Sequence, residues 1–216
     1  MGFHHGSGHR GVLVLSFPSL SQSPYKVRVA AAQDLHQLAD ILTRSFYPPT
    51  SWRQWAFPFL RFSIYEDLKQ RLNAATAHHA CLAAVIIGPT TTSEWLVGTV
   101  EVAPRRYPLW VNRQPRQLYL SNLAVRENAR RQGVARHLLA ACEETAHTWG
   151  FRELYLHVME DNVSARRLYR QAGYQIQYAE TTLLSLLGAR PRRLLLRKSL
   201  ASEKSSPGLD NGCDSG

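Results

Sequence analysis

The segment from 120 to 139, LSNLAVRENARRQGVARHLL, combines residue types suited to binding an anion. An apolar run that predicts a buried strand is followed by a short basic turn and then by an amphipathic stretch that predicts a helix. The N-terminus of a helix presents free backbone N–H groups and the positive end of its dipole. Gly133 permits dihedral angles and a close ligand approach that a side chain would block. Such a turn predicts a binding site for a polyphosphate.

This turn does not match the sequence patterns of two other phosphate-binding loops. A Walker loop needs Lys-Ser or Lys-Thr after its glycines, and the dinucleotide fingerprint needs three spaced glycines. Here Arg130, Arg131 and Arg136 supply the positive charge, and the small Ala135 lets a pyrophosphate sit against the helix start. Taken alone, the turn is also compatible with a solvated basic helix start.

A second group of residues adds an amide and a phenol to the same end of the molecule. Ala165 and Tyr169 follow Asn162 by three and by seven residues, so a helix places all three on one face. The apolar strand just before this helix directs its N-terminus toward the phosphate turn. In isolation, Asn162 also fits a helix N-cap, and Tyr169 fits a core aromatic residue with a solvated hydroxyl.

The elements that position these residues follow from hydrophobic periodicity. The order is strand, two helices, three strands, helix, strand, helix and two strands. It predicts an α/β fold with one mixed sheet of about seven strands, flanked by about four helices, in a single domain at 25–200. Residues 1–24 and 201–216 are predicted to lack order. The second helix is expected at 67–77, after an aromatic-rich segment at 47–62 whose rings are expected mostly to cover the sheet.

Composition excludes several classes of function. The 44% hydrophobic content excludes a disordered chain, and no apolar run is long enough to span a bilayer, so no membrane partner is expected. The net charge of +10 comes from dispersed arginines, which favours a generally basic surface over a nucleic-acid groove. Three cysteines without a CxxC pair give no zinc spacing and no metal site. Cys81 and Cys142 are expected in the core.

The predicted compartment is a reducing one, because the cysteines are few and odd in number. The first 33 residues contain no Asp or Glu and several serines, a composition found in transit peptides. A cytoplasmic location is predicted, with the plastid stroma as the alternative.

Together, the two motifs resemble those of the GCN5-related N-acetyltransferase (GNAT) superfamily. The family's Arg/Gln-x-x-Gly-x-Gly/Ala turn corresponds to residues 130–135, and its Asn-x-x-Ala-x-x-x-Tyr helix to Asn162, Ala165 and Tyr169. The resemblance covers about 25–200, with the specific motifs within 118–175. The run from 45 to 52 is similar to cyanobacterial and plastid members of the superfamily.

This resemblance implies that acetyl-CoA, without a metal, binds in a V between two neighbouring parallel strands. The main chain around Leu123, Ala124 and Val125 would bond the pantetheine arm, whereas core packing is the ordinary role of these side chains. Asn162 and Ala165 would contact the pantetheine from the next helix. The turn that would hold the pyrophosphate comprises Arg130, Arg131, Gln132, Gly133, Val134, Ala135 and Arg136.

The chemistry implied is direct attack of an amine on the thioester, since we identify no Ser–His or Cys–His nucleophile pair. Tyr169 matches the family's usual general acid for the departing thiolate. His157 falls at the strand position where related N-terminal alanine acetyltransferases carry a glutamate, and its ordinary pKa of about 6.5 suits a base. A core histidine is the competing interpretation. Glu101 late in the third strand, which otherwise faces solvent, and water are alternative bases.

The expected acceptor is a protein or peptide amine. An α-amine of pKa about 8 is roughly 10% neutral at pH 7, whereas lysine is neutral in only a few molecules per ten thousand. An N-terminal acceptor is thus chemically easier, although lysine stays open. The alternatives are a small-molecule amine acetyltransferase and a non-catalytic module that senses acyl-CoA or binds RNA. A monomer or a homodimer is expected.

Overall fold

The computed structural model describes residues 24–47, 54–74, 78–87, 94–105, 117–181 and 190–200. These residues form seven strands and four α-helices in the predicted order, so the α/β fold class is confirmed. The predictions for 1–23 and 201–216 lie outside the described residues. In chain order the elements are β1 (Tyr25–Val29), α1 (Leu35–Phe46), α2 (Phe57–Asn73), β2 (Ala80–Ile87), β3 (Glu94–Arg105), β4 (Gln117–Val125), α3 (Val134–Thr148), β5 (Glu153–Met159), α4 (Val163–Gln171), β6 (Gln175–Glu180) and β7 (Arg193–Ser199).

The seven strands form one sheet in the order β1-β2-β3-β4-β5-β7-β6. Among the described strands, β4 and β5 are the parallel neighbours, and all other neighbours are antiparallel. Their pairing is confined to Leu118 with Leu154 and Tyr119 with Tyr155, although β4 continues to Val125 and β5 to Met159. The two strands therefore diverge into a V toward their carboxyl ends.

A bulge in β4 accompanies this divergence. The register between β3 and β4 shifts between Thr99 and Glu101, and Asn122 adopts a left-handed backbone with a φ of 56°. An extra residue in one strand bends it and increases its local twist. The second half of β4 consequently leaves β5 and opens the sheet.

The hydrophobic core occupies both faces of the sheet. One face is covered by α3 and α4, with Leu138, Cys142 and Tyr169 in its cluster. The other face is covered by α1 and α2, which contribute Leu38 and Leu68 among others. Cys81 and Cys142 are buried free thiols, as predicted. Burial raises the pKa of Cys81 to about 11, so this thiol stays protonated.

Helix α2 differs from the sequence prediction. It spans Phe57–Asn73 instead of 67–77, because the aromatic segment before residue 67 is itself helical. Apolar residues lie on both faces of this stretch and obscure the helical period: Leu68 is buried, whereas Phe59 and Phe62 are 74% and 65% exposed. The expectation that these rings cover the sheet is wrong for Phe59, Phe62 and the preceding Trp55. Nowhere in the described ranges is a helix both long and apolar enough to cross a membrane.

Candidate active site

A cleft of about 620 Å³ lies where the turn before α3 meets the N-terminus of α4. Two helix N-termini therefore open onto one space, and four arginine side chains border it. This combination of dipole and charge suits a polyanionic ligand. Its lining residues are Ser45, Val125, Ala129, Arg130, Arg131, Gly133, Val134, Ala135, Arg136, Asn162, Ser164, Ala165, Arg167, Leu168 and Gln171.

The turn before α3 depends on two left-handed residues. Arg131 and Gly133 have φ angles of 64° and 87°. Gly133 is the N-cap of α3, and no side-chain hydrogen bond caps the helix there. Its carbonyl accepts from the amides of Arg136 and His137, at 2.9 and 3.2 Å. The amides of Val134 and Ala135, which line the cleft, are thus among the helix-start groups that a ligand can satisfy.

Gly98 in β3 sets how closely α3 approaches the sheet. A Cβ atom at this position would lie 3.0 Å from Val134 Cγ1 and 3.1 Å from Leu138 Cδ1. The Ala124 carbonyl would lie equally close, at 3.1 Å, so any larger residue would need these neighbours to shift by a few tenths of an ångström. This role was not predicted from the sequence, although an isolated glycine within a strand often marks such a close approach.

Asn162 has the capping role that its sequence position allows. Its Oδ1 accepts a hydrogen bond from the amide of Ala165 at 3.1 Å, which makes Asn162 the N-cap of α4. The residue also lines the cleft. Its cap therefore fixes the helix terminus that faces the ligand space.

Most residues predicted to bind the cofactor lie together in the cleft, and three do not line it. Leu123 packs partly buried against the core, and Ala124 is buried opposite Thr99 of β3. The side chain of Gln132 accepts from Tyr25 Oη at 2.5 Å and donates to the Asn128 carbonyl at 2.9 Å. Gln132 thus stabilises the turn through contacts outside the cleft.

Several cleft residues were not identified from sequence. Arg167 adds a fourth cationic side chain, and Ser164, Leu168 and Gln171 line the same wall. Their spacing of four and three residues places them on one face of α4, a pattern that the sequence does contain. Ser45 comes from the end of α1, and no local motif marks it.

Tyr169 is a buried phenol on the α3–α4 face of the sheet. It is 9% exposed and packs edge-on against Tyr174, with ring centroids 5.8 Å apart. Burial raises the pKa of Tyr169 to about 12, and the neighbouring Tyr119 and Cys142 add to the rise. The hydroxyl therefore keeps its proton throughout the physiological pH range.

His157 lies on the opposite face and has partners on both ring nitrogens. Nε2 lies 2.7 Å from Glu180 Oε1, and Nδ1 contacts the Tyr119 hydroxyl. Burial and the charge of Arg193 lower the pKa of His157, although Glu180 opposes the shift. An ionised carboxylate only accepts hydrogen bonds, so the neutral ring donates from Nε2 to Glu180. Its Nδ1 then accepts a hydrogen bond from the Tyr119 hydroxyl. Neither Tyr119 nor Glu180 was identified from the sequence.

Glu101 does not face solvent, contrary to the sequence expectation. It is 4% exposed and accepts hydrogen bonds from His79 Nε2 at 2.6 Å, Arg71 at 2.5 Å and Asn122 Nδ2 at 2.7 Å. Burial alone would raise the pKa of Glu101, but these partners hold it below its usual range. Through Asn122 the carboxylate fixes the bulge of β4. Both oxygens of the Glu101 carboxylate already accept hydrogen bonds. Its position therefore suits structural support of β4.

A metal centre finds no support in the described parts of the chain, where no three His, Cys, Asp or Glu side chains are grouped to hold an ion.

Comparisons with known proteins agree with this geometry. Residues 35–174 match the model of the acetyltransferase (GNAT) family. The chain is 30% identical over 189 residues to GCN5-related N-acetyltransferase 10, chloroplastic, of Arabidopsis thaliana, covering 83% of this chain and 74% of the relative. GCN5-related N-acetyltransferase 4, chloroplastic, of the same plant is 43% identical over 74 residues, or 33% of this chain and 24% of the relative.

Two solved structures share the fold. The ribosomal-protein-alanine N-acetyltransferase of Brucella melitensis aligns with a TM-score of 0.59 at 20% identity, over 81% of this chain and 99% of that one. The PaiA N-acetyltransferase of Thermoplasma acidophilum, solved in complex with coenzyme A, gives 0.58 at 15% identity, over 81% and 98%. Because the family match covers more than half of the sequence, this chain belongs to the GNAT family of acetyl-CoA-dependent N-acetyltransferases, as its two motifs predict.

Proposed function

We propose that the protein transfers the acetyl group of acetyl-CoA directly to a protein or peptide amine, with Tyr169 as the general acid. The observation that carries this proposal is the placement of two proton-handling groups on opposite faces of the β4–β5 split. Tyr169 clusters with Leu120 and Leu156 on the α3–α4 face. Tyr119 and Tyr155 alternate to the other face, where His157 follows two residues later. Cofactor and acceptor can therefore approach the split from different sides.

The cleft would receive the cofactor in an extended form. Its pyrophosphate would lie on the amides at the start of α3, among Arg130, Arg131 and Arg136. The pantetheine arm would then pass between β4 and β5, where the main chain around Leu123 and Val125 does not pair with β5 and can bond the arm as an added strand would. The Val125 carbonyl accepts from Arg130 Nε at 3.2 Å, so this side chain would have to yield to the cofactor. This path leads the thioester toward Tyr169.

The transfer needs two proton movements. The amine nitrogen attacks the thioester carbonyl carbon, the C–S bond breaks, and the Tyr169 hydroxyl donates its proton to the departing sulfur. The raised pKa of Tyr169 ensures that this proton is present when the cofactor binds. His157, whose pKa is lowered, is neutral at pH 7 and supplies the base for the acceptor.

The acceptor side suits a peptide better than a small polycation. Exposed aromatic rings at Trp55, Phe59 and Phe62 lie in and beside α2, the helix that covers this face of the sheet. Apolar surface of this kind is typical of contacts with other chains. Arg105 beside Tyr119 and Arg193 beside Glu180 would repel a polyamine on this face. An α-amine remains the easier acceptor, and lysine is the second candidate.

The test is acetylation of a proteome-derived peptide library by the purified protein with acetyl-CoA, followed by mass spectrometry. We expect acetylated peptide N-termini, or lysines, above a control without protein. A parallel panel of small amines tests the main alternative. Turnover of a small amine without any labelled peptide would contradict the protein acceptor, and salt-dependent RNA binding without coenzyme A binding would favour a non-catalytic module.

The compartment and the oligomeric state are further parts of the proposal. The chloroplastic relative supports the plastid stroma, the alternative to the cytoplasmic location. A fluorescent fusion to the C-terminus of the full chain, expressed in a plastid-containing cell, distinguishes the two. Analytical ultracentrifugation distinguishes a monomer from a homodimer.

A further inference from the structure

We propose that Tyr119 is the group that takes the proton from the acceptor amine, with His157 behind it as the base and Glu180 as a positioning residue. This inference rests on the proposed direct attack on acetyl-CoA. It adds a catalytic residue, and it assigns His157 an indirect role.

The contacts of His157 leave it no nitrogen for the acceptor. One ring nitrogen contacts Glu180 and the other contacts Tyr119, and the His157 side chain is only 6% exposed. An amine proton therefore reaches His157 only through one of these partners. The Tyr119 oxygen can accept a proton from the amine while it donates its own to His157, because a phenol is both acceptor and donor.

The three residues come from three different strands, β4, β5 and β6, and only the last of them has substantial contact with solvent. Tyr119 is 9% exposed and His157 is nearly covered, whereas the Glu180 side chain is 35% exposed. The chain of contacts thus begins beside the β4–β5 split and ends at a carboxylate in contact with water. A proton taken at Tyr119 has an exit to solvent that does not cross the acceptor site.

Among the described residues, two arginines and Glu180 flank this path. The Arg105 guanidinium lies 4.4 Å from the centroid of the Tyr119 ring, and Arg193 lies 3.7 Å from Glu180 Oε2. Both cations disfavour an imidazolium at His157, and Glu180 favours it. Arg105 also stabilises negative charge on the Tyr119 oxygen while its proton leaves. We therefore expect the His157 imidazolium to be short-lived and to release its proton quickly.

The proton balance of the step is closed. The acceptor ammonium gives one proton to the Tyr119 oxygen while Tyr119 passes its own to His157 Nδ1, and the neutral amine then forms the C–N bond as the C–S bond breaks. Tyr169 protonates the sulfur, and the second amine proton restores Tyr169. The third remains on the amide. The imidazolium releases its proton to water beside Glu180, so ammonium and acetyl-CoA yield amide, coenzyme A and one proton.

The test compares Tyr119→Phe with wild type on a peptide acceptor with a free α-amine, as kcat/KM from pH 6.5 to 9 at saturating acetyl-CoA. At pH 6.5 we expect a loss of about 100-fold, within the range of general base catalysis. By pH 9 the loss should shrink at least tenfold, because an α-amine of pKa about 8 is then already neutral. Lost packing alone would lower the rate by the same factor at every pH.

Tyr155→Phe is the matched control, since Tyr155 is a buried phenol on the same face whose hydroxyl donates to Glu153 at 2.5 Å. It should stay within about twofold of wild type. The double variant Tyr119→Phe with His157→Gln should lose no more than the worse single variant, because residues that act as a unit are not additive. Glu180→Gln should move the acidic limb of the pH profile, and Glu153→Gln should not.

Tyr119→Phe at the wild-type rate at pH 6.5, or a loss that is equal at all pH values, would overturn the relay while peptide acetylation persists. Multiplicative losses in the double variant would do the same. If wild type acetylates only small amines, the protein acceptor fails, and the same pH comparison on that amine decides the relay separately. Thermal unfolding of each variant identifies any that fail to fold, in which case the Glu180→Gln profile decides.

Discussion

The two sides of the β4–β5 split are built by different means. On the side where we propose that the cofactor binds, most of the cleft lining comes from two short stretches, 129–136 and 162–171, which include the starts of two helices and their main-chain amides. On the side proposed for the acceptor, Tyr119, His157 and Glu180 meet from three strands through side-chain contacts. One site depends on local backbone geometry, and the other depends on how strands are paired.

This difference determines how each side tolerates change. A helix start keeps its amides whatever its side chains are, so only residues that alter the backbone should damage the cofactor cleft severely. On the acceptor side, each hydrogen bond of the path depends on a single side chain, and no main-chain group can replace it. Substitutions there should affect proton transfer while leaving cofactor affinity intact.

The largest effect is expected for Tyr169→Phe, which removes the proposed proton donor to the cofactor's sulfur. Loss of its proton should lower kcat about 1000-fold, within the span known for general acids, with the acetyl-CoA Kd within twofold of wild type. Steady-state kinetics and calorimetric titration measure the two quantities. Tyr174→Phe is the control, because the buried Tyr174 hydroxyl has no hydrogen-bond partner among the described residues. Unchanged kcat in Tyr169→Phe would remove the residue from the acid role.

Glu101→Gln should show that the β4 bulge depends on a buried charge. Removing the carboxylate leaves His79 facing a neutral amide, whereas Arg71 is 34% exposed and keeps its pair with Asp67. The loss of unfolding free energy should therefore stay below the about 3 kcal/mol that breaking a fully buried ion pair costs. A rise in the acetyl-CoA KM should accompany it as the bulge relaxes. Urea denaturation gives the first value.

Glu94→Gln is the matched control on the same strand, since the pair of Glu94 with Arg28 is partly solvated and worth about 0.5 kcal/mol. Equal losses in the two variants would show that burial of Glu101 adds nothing. A full loss of stability with an unchanged KM would separate Glu101 from the cofactor site.

Gly133→Ala tests the backbone dependence of the cofactor cleft. A Cβ atom there meets only His137, at an ordinary 3.6 Å, so the cost lies in the φ of 87° and amounts to about 1–2 kcal/mol. Relaxing that strain should tilt the helix-start amides and raise the acetyl-CoA Kd about tenfold. Gly150→Ala, at the other end of α3, is the matched control. Gly150 has a similar φ of 75°, and a Cβ atom there would meet no other atom within 4 Å. It should lose comparable stability and keep the wild-type Kd.

The same contrast explains what sequence reasoning could reach. The element order and the turn around Gly133 were predictable, because periodicity and a glycine at a helix start are local properties. The contact of Tyr119 with His157 spans 38 positions and that of Asn122 with Glu101 spans 21, so neither leaves a local pattern. Helix α2 was placed too late because its exposed rings hide the buried stripe around Leu68.

The smallest effect concerns the pH dependence of stability, and it isolates the acceptor side. Because the folded state lowers the pKa of His157, the unfolded chain binds a proton near pH 6.5 that the folded chain does not yet bind. Stability from this group is therefore full above about pH 6.5 and falls as the pH drops below it. Linkage limits the loss to about 1.4 kcal/mol between pH 6.5 and 5.5.

Urea denaturation at both pH values, in wild type and His157→Gln, measures this loss as a difference between the two proteins. The variant should show the smaller drop, because its other histidines titrate as in wild type. A larger drop in the variant would mean that Glu180 outweighs burial and that the imidazolium is the favoured form. His157 would then stay protonated to a higher pH, which would leave less of it neutral to receive the proton from Tyr119, so this measurement bears directly on the relay.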